Sequence, residues 1–195
     1  ISLKNDPPDP MNLLGEQTDF TYSNFSSYAK AVEAAQPSTN VAALVGHTTL
    51  RANVMDDLSR AATPDEIEKM KVLLEQSLEA GAIGLSSGLA YISAINAPSE
   101  ELESLMPVLA KYNRIYTTHL RNEFDAIIDA LKEAFDTASS ADIPLVVSHV
   151  KCAGKINWGR SKEVIDSLQT AAEHQDVACD CYPYSASSST LDLNQ

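Results

Sequence analysis

Residues 115–149 read IYTTHLRNEFDAIIDALKEAFDTASSADIPLVVSH, and this stretch decides the fold. IYTTHL (115–120) and PLVVSH (144–149) are short apolar runs of the kind that a strand buried on both faces produces, and each carries a histidine at its end. Between them, Phe124 to Ala138 has apolar residues at helical spacing. A strand, a helix and a second strand repeating at roughly 30 to 40 residues make a right-handed βα unit, so the two strands run parallel.

The alternation extends in both directions. VAALVG (41–46) and AIGLSS (82–87) precede this unit, and VACDCYPY (177–184) follows it. Helices are predicted from Ser23 to Ala35, from Thr63 to Gly81, from about Ser99 and from about Ser161. The second is the best marked: Thr63-Pro64-Asp65-Glu66 is a capping box with proline at the first helical position, Ile67, Met70, Leu74 and Leu78 line one face, and Gly81 closes it. Residues 1–22, with three prolines and little periodicity, read as an extended loop.

A doubly wound sheet and a (β/α)8 barrel both fit this order. Polar residues end every strand (His47, Ser86, Ser87, His119, His149, Tyr182, Tyr184), as expected when all strand ends converge on one site, and this favours the barrel. The predicted fold is therefore α/β, a partial (β/α)8 barrel whose central part is residues 1–195. Such a barrel takes ~250 residues and eight strands, so about three units are expected outside this stretch.

Composition narrows the function. Of the 195 residues, 44% are hydrophobic and 21% charged, the balance of an ordinary globular protein. A net charge of -13 repels phosphate backbones and the cations are scattered, which argues against nucleic acid as a partner. No apolar run approaches the roughly 18 residues of a membrane span, and no signal peptide opens the chain, so neither membrane nor export is expected. Cys152, Cys179 and Cys181 lack the spacing of a disulfide framework or a zinc ribbon, and a reducing, cytoplasmic setting is expected. Cys179 and Cys181, two apart in an apolar stretch, read as small core residues on one strand face.

His119 and His149 end neighbouring strands, which lie about 4.8 Å apart in a parallel sheet, so both imidazoles can reach one ion. A hydrogen-bonded strand-end pair is an equally open reading. Lys151 and Arg121 each lie two residues past a histidine and can point to its side, suiting an anionic substrate; a solvated loop charge is the alternative. Asp180, Tyr182 and Tyr184 alternate with the two cysteines and form one polar face, either of a site or of a buried hydrogen-bonded cluster. His47 is open between a structural and a functional role, and His174 reads as surface. GLSSG (84–88) has the form G-x-S-x-G, but a long loop rather than a helix follows it, so a strand-end loop is expected and not a nucleophile elbow.

GHTTLR (46–51), GAIGLSSGLAY (81–91), YTTHLRNE (116–123), SHVKCAGKINWGRS (148–161) and DCYPYSASSSTL (180–191) occur in the order and approximate spacing of the D-aminoacylase branch of the amidohydrolases. Over nearly its whole length the chain resembles the N-acyl-D-amino-acid deacylases. The resemblance implies a Zn2+ enzyme that hydrolyses N-acyl-D-amino acids to a carboxylate and a free D-amino acid. It maps the zinc-binding histidines of T-H-x-R-N-E and S-H-x-K onto His119 and His149. Substrate-holding roles map onto Tyr91, Lys151 and Tyr182, and, through a serine-rich run, onto Ser188.

The same resemblance puts a His-x-His pair, a metal-binding cysteine, the catalytic aspartate and a carboxylate-binding arginine outside residues 1–195. The isolated chain is accordingly expected to be inactive and to self-associate. After Tyr91 the family usually has a Pro/Gly-containing loop, where this sequence has Ile92-Ser93-Ala94-Ile95-Asn96. Another amidohydrolase, such as a cyclic-imide hydrolase, would keep both histidines without needing Tyr91, Lys151 and Tyr182. A non-catalytic, self-associating chain is the reading from a different class.

Overall fold

The computed structural model describes residues 2–189. Residues 2–24 form an irregular segment with two short 3-10 turns, tied down by the Gln17 amide, which donates to the Leu3 and Lys4 carbonyls. Helix α1 (Phe25–Ala35) starts where Asn24 accepts from Ser27 N and ends where Gln36 turns left-handed at φ 45.

Strand β1 (Val45–Gly46) is shorter than the apolar run 41–46, because residues 41 and 42 run past the start of the neighbouring strand; Val41 is half exposed. Helix α2 (His47–Val54) begins at once after β1. Nothing in the propensities of GHTTLR announces it, since Thr is a poor helix former. Burial of Leu50, Arg51 and Ala52 against the following helices stabilises it instead.

Helix α3 (Pro64–Glu79) has the expected capping box, and Met70, Leu74 and Leu78 are buried on its inner face. Strand β2 (Gly84–Gly88) needs glycine at its start: a Cβ on Gly84 would sit 2.1 Å from the Ile115 carbonyl oxygen. The helix expected from Ser99 is two helices, α4 (Ser99–Glu103) and α5 (Met106–Tyr112). Pro107 explains the break, because it has no N–H to continue the ladder back to the preceding turn.

Strand β3 (Ile115–His119) leads through an Asn122 turn, where the side-chain oxygen accepts from Phe124 N and Ala126 N, into α6 (Ile127–Ser139). Strand β4 (Leu145–Val147), α7 (Ser161–Ala172) and β5 (Val177–Cys179) complete the series. Strands β4 and β5 are shorter than expected. His149 takes a left-handed φ of 42 and leaves the β4 line, and β5, whose last partner is Val147 of β4, ends with it at Cys179.

The five strands are all parallel, and their order in the sheet is their order in sequence. A doubly wound sheet would reverse direction at a switch point; an unbroken sequential order is the arc of a (β/α)8 barrel. Leu85, Tyr116, Leu145 and Val147 of the strands join the buried faces of α3, α5 and α6 in one core. Cys179 and Cys181, expected in that core, are exposed: β5 is an edge strand of the described sheet, and no described element covers that face. Among the described residues no helix is long and apolar enough to cross a membrane.

Candidate metal and substrate site

The register of the sheet builds the site. Thr118 lies opposite Val147, so the last residue of β3 and the residues just past β4 emerge side by side at the C-terminal end of the sheet. There His119 Nδ1 is 2.9 Å from His149 Nε2, with ring centroids 4.6 Å apart. Glu123, on the turn after β3, places Oε1 3.1 Å from His149 Nδ1. Lys151 Nζ lies 2.5 Å from the other Glu123 oxygen and 3.0 Å from His149 Nδ1. Asp180 anchors the assembly from β5: its carboxylate accepts from His149 N at 2.7 Å and its carbonyl from Val150 N at 2.8 Å. Those bonds hold His149 in its uncommon backbone conformation.

Proton placement is constrained by this geometry. If His149 Nδ1–H donates to Glu123, His149 Nε2 is a bare acceptor, and His119 Nδ1–H donates to it. His119 Nε2 is then a buried lone pair, and among the described residues it has no hydrogen-bond partner. Burial above all, with the Lys151 charge, lowers the His119 pKa to about 4 against the pull of Glu123. Burial pushes the Glu123 carboxyl up, but hydrogen bonds from His149 and Lys151 outweigh it and hold the acid below its usual range. A neutral imidazole with an unshared lone pair beside an ionised carboxylate is a ligand set for a divalent transition metal. His119, Glu123 and His149 each offer one ligand atom within 4.8 Å of the others.

Tyr91, Lys151, Tyr182 and Ser188 line the same cavity as the two histidines, a space of about 350 Å3. The Tyr91 ring stacks 5.0 Å from that of His119, and burial raises its pKa, with the Ser189 hydrogen bond opposing. Lys151 Nζ lies 5.6 Å from the Tyr182 ring, and the Tyr182 hydroxyl is buried with no hydrogen-bond partner among the described residues. All six residues singled out in the sequence are thus brought together.

Glu123 was not among them. Its signal was present in YTTHLRNE, where a carboxylate four residues past a strand-end histidine falls on the same loop. Arg121 and His47 are elsewhere. Arg121 turns away to Glu133 of α6, and His47 is buried against Glu101 at 2.9 Å. His174 is exposed, as expected. Ser87 of GLSSG spends its hydroxyl on Tyr116 and Thr118, at 2.7 and 2.8 Å, so it is a strand-packing residue and no nucleophile elbow.

No family model matches the chain. Over 185 residues it is 42% identical to a D-aminoacylase of Alcaligenes xylosoxydans xylosoxydans, covering 95% of this chain and 38% of that protein. The solved structure of a D-aminoacylase, studied for its binuclear metal centre, superposes with a TM-score of 0.90 at 43% identity over 94% of this chain and 39% of that one. The chain belongs to the D-aminoacylase family of amidohydrolases. It spans 38% of the length of the curated D-aminoacylase. The family likeness reaches an N-acyl-D-glutamate deacylase from Bordetella bronchiseptica, solved with zinc and a phosphonate mimic of the tetrahedral intermediate: TM-score 0.80, 41% identity, 83% of this chain and 34% of that one. An L-hydantoinase from Arthrobacter aurescens shares the fold alone, at 15% identity and a TM-score of 0.50 over 83% of this chain and 37% of that one.

Proposed function

We propose that the chain supplies metal-holding and substrate-holding side chains of a zinc-dependent hydrolase. Its reaction is cleavage of the amide C–N bond of an N-acyl-D-amino acid, giving a carboxylic acid and a free D-amino acid. The observation that carries this reading is the meeting of His119, Glu123 and His149 within 4.8 Å, in a chain 42% identical to a D-aminoacylase.

Zinc bound there would lower the pKa of a water molecule and polarise the amide carbonyl. His119 and His149 would hold it through imidazole nitrogens, and Glu123 would either complete the set or fix the His149 tautomer. Lys151 meets the free carboxylate of the substrate, which a charge-assisted hydrogen bond distinguishes from a neutral amide. Tyr182, whose hydroxyl has no partner among the described residues, Tyr91 and Ser188 give the remaining contacts. The proton acceptor is the aspartate that the family resemblance puts outside residues 1–195. A cytoplasmic setting belongs to this reading, because all three cysteines are free thiols, which a reducing compartment preserves.

The test is turnover of N-acetyl-D-methionine against its L enantiomer by the intact enzyme, with and without a chelator. Selective, chelator-sensitive hydrolysis of the D form is expected. Turnover unaffected by complete zinc removal would refute the reading.

A further inference from the structure

Tyr91 stands on a loop, residues 89–98, that no regular ladder holds in place; Ser93 Oγ ties it to the Asp9 carbonyl and Asn96 to the Ser59 carbonyl, and two arginines grip its own carbonyls. Arg121, two residues beyond His119, donates from Nη1 to the Ile95 carbonyl at 2.6 Å and from Nη2 to the Ala97 carbonyl at 2.8 Å. Its Nε and Nη2 also grip the Glu133 carboxylate of α6 at 2.7 to 3.1 Å, and Ser99 Oγ donates to the same carboxylate. From the other side the fully buried Arg51 donates from Nε to the Ser93 carbonyl at 3.1 Å. Inside the loop, Ala94 N and Ile95 N both donate to the Tyr91 carbonyl at 2.8 Å. Leu89 N reaches the His119 carbonyl at 3.3 Å. A guanidinium suits this task because its planar fork spreads five N–H donors over three nitrogens and so reaches two carbonyls and both oxygens of a carboxylate at once, whereas an ammonium has three donors on a single nitrogen.

We propose that Arg121, braced by Glu133, is a positioning residue that fixes Tyr91 against His119, so that the substrate-holding loop and the ligand-bearing strand end behave as one body. The inference rests on the roles given to Tyr91 and His119 under the proposed function. Arg121 touches neither metal nor substrate and acts through the loop.

The test uses the intact zinc-loaded enzyme, N-acetyl-D-methionine, and a cycle of Arg121→Gln, Tyr91→Phe and the double variant. Arg121→Gln is expected to lower kcat/KM by roughly ten- to a hundredfold, mainly through KM, with zinc content unchanged. The double variant loses little beyond Tyr91→Phe, because the two changes remove one interaction. Hydrogen exchange at the Ala94 and Ile95 amides accelerates in Arg121→Gln. Arg121→Lys does not restore KM, and Glu133→Gln, a milder change because the amide still offers Arg121 one oxygen acceptor, shifts KM the same way by less. Additive losses, unchanged amide protection, or full rescue by lysine would overturn the proposal. If Tyr91→Phe is itself neutral, the role of Tyr91 and this inference fall together, while D-selective turnover by the unaltered enzyme leaves the proposed function standing.

Discussion

Lys151 has two competing anions, the Glu123 carboxylate at 2.5 Å and, under the proposed function, the carboxylate of a substrate. If it reads the substrate equally in ground and transition states, Lys151→Ala raises KM and leaves kcat nearly unchanged. A charge-assisted contact of about 1.5 to 3 kcal/mol corresponds to a rise of roughly ten- to a hundredfold. Comparing N-acetyl-D-amino acids with their amides checks this: the acid suffers and the amide does not, and equal losses on both would remove Lys151 from carboxylate recognition. At this scale the sequence was most legible where a residue type and a strand end coincide, as at His119 and His149. It was least legible where a charge has two destinations. Arg121 and Lys151 sit at the same offset from a histidine, yet Arg121 finds loop carbonyls and Glu133, and only tertiary packing decides between the two outcomes.

Among the elements, the join of α2 to α4 is the most exacting. Arg51 and Glu101 are both buried, 2.5 Å apart, and Glu101 also accepts from Ala62 N while Arg51 donates to the Leu58 and Arg60 carbonyls. Removing one partner strands a buried charge, so Glu101→Ala is expected to cost about 3 to 5 kcal/mol of stability by urea unfolding, and a loss under about 1 kcal/mol would contradict it. Acid attacks the same join. Burial, ahead of the opposing Glu101 contact, lowers the His47 pKa from 6.5. The unfolded chain therefore takes up a proton there before the folded one does, and stability falls as pH drops below that value. For Glu101, burial raises the pKa but the His47 and Arg51 hydrogen bonds bring it from 4.5 to about 2, so its contribution is present above 4.5 and is lost as pH falls toward about 2. The urea midpoint should decline with pH in two stages, and Glu101→Gln should remove the lower one; a midpoint flat from about pH 7 to 3 would contradict both assignments. None of this was legible in GHTTLR, which looks like a strand end. Helix α2 exists because Leu50 and Arg51 are buried and Arg51 bonds to residues 7 to 50 positions away, and local propensity carries no such term. Conversely α3 was read almost to the residue, since its cap, its proline and its apolar stripe are all local.

For the whole molecule, the spacing of five apolar runs implies parallel βα units, and the polar residues that end every run favour a barrel over a doubly wound sheet, so the barrel is legible while its strands' true lengths are not. The lengths are hidden because pairing stops where a neighbour ends or where His149 turns left-handed. Strands β1 and β5 each have one neighbour in the described sheet. Unpaired edges recruit partners, so the 21.0 kDa chain expressed alone should elute as an assembly by size-exclusion chromatography with light scattering; a stable monomer would count against it. The proposed function requires His119 and His149 to hold the zinc on which deacylation depends. Metal analysis of the intact enzyme and its His119→Ala and His149→Ala variants, paired with hydrolysis of N-acetyl-D-methionine, tests it most directly. Zinc content and turnover are expected to fall together in both variants, whereas full zinc occupancy with undiminished turnover in either would contradict the assignment.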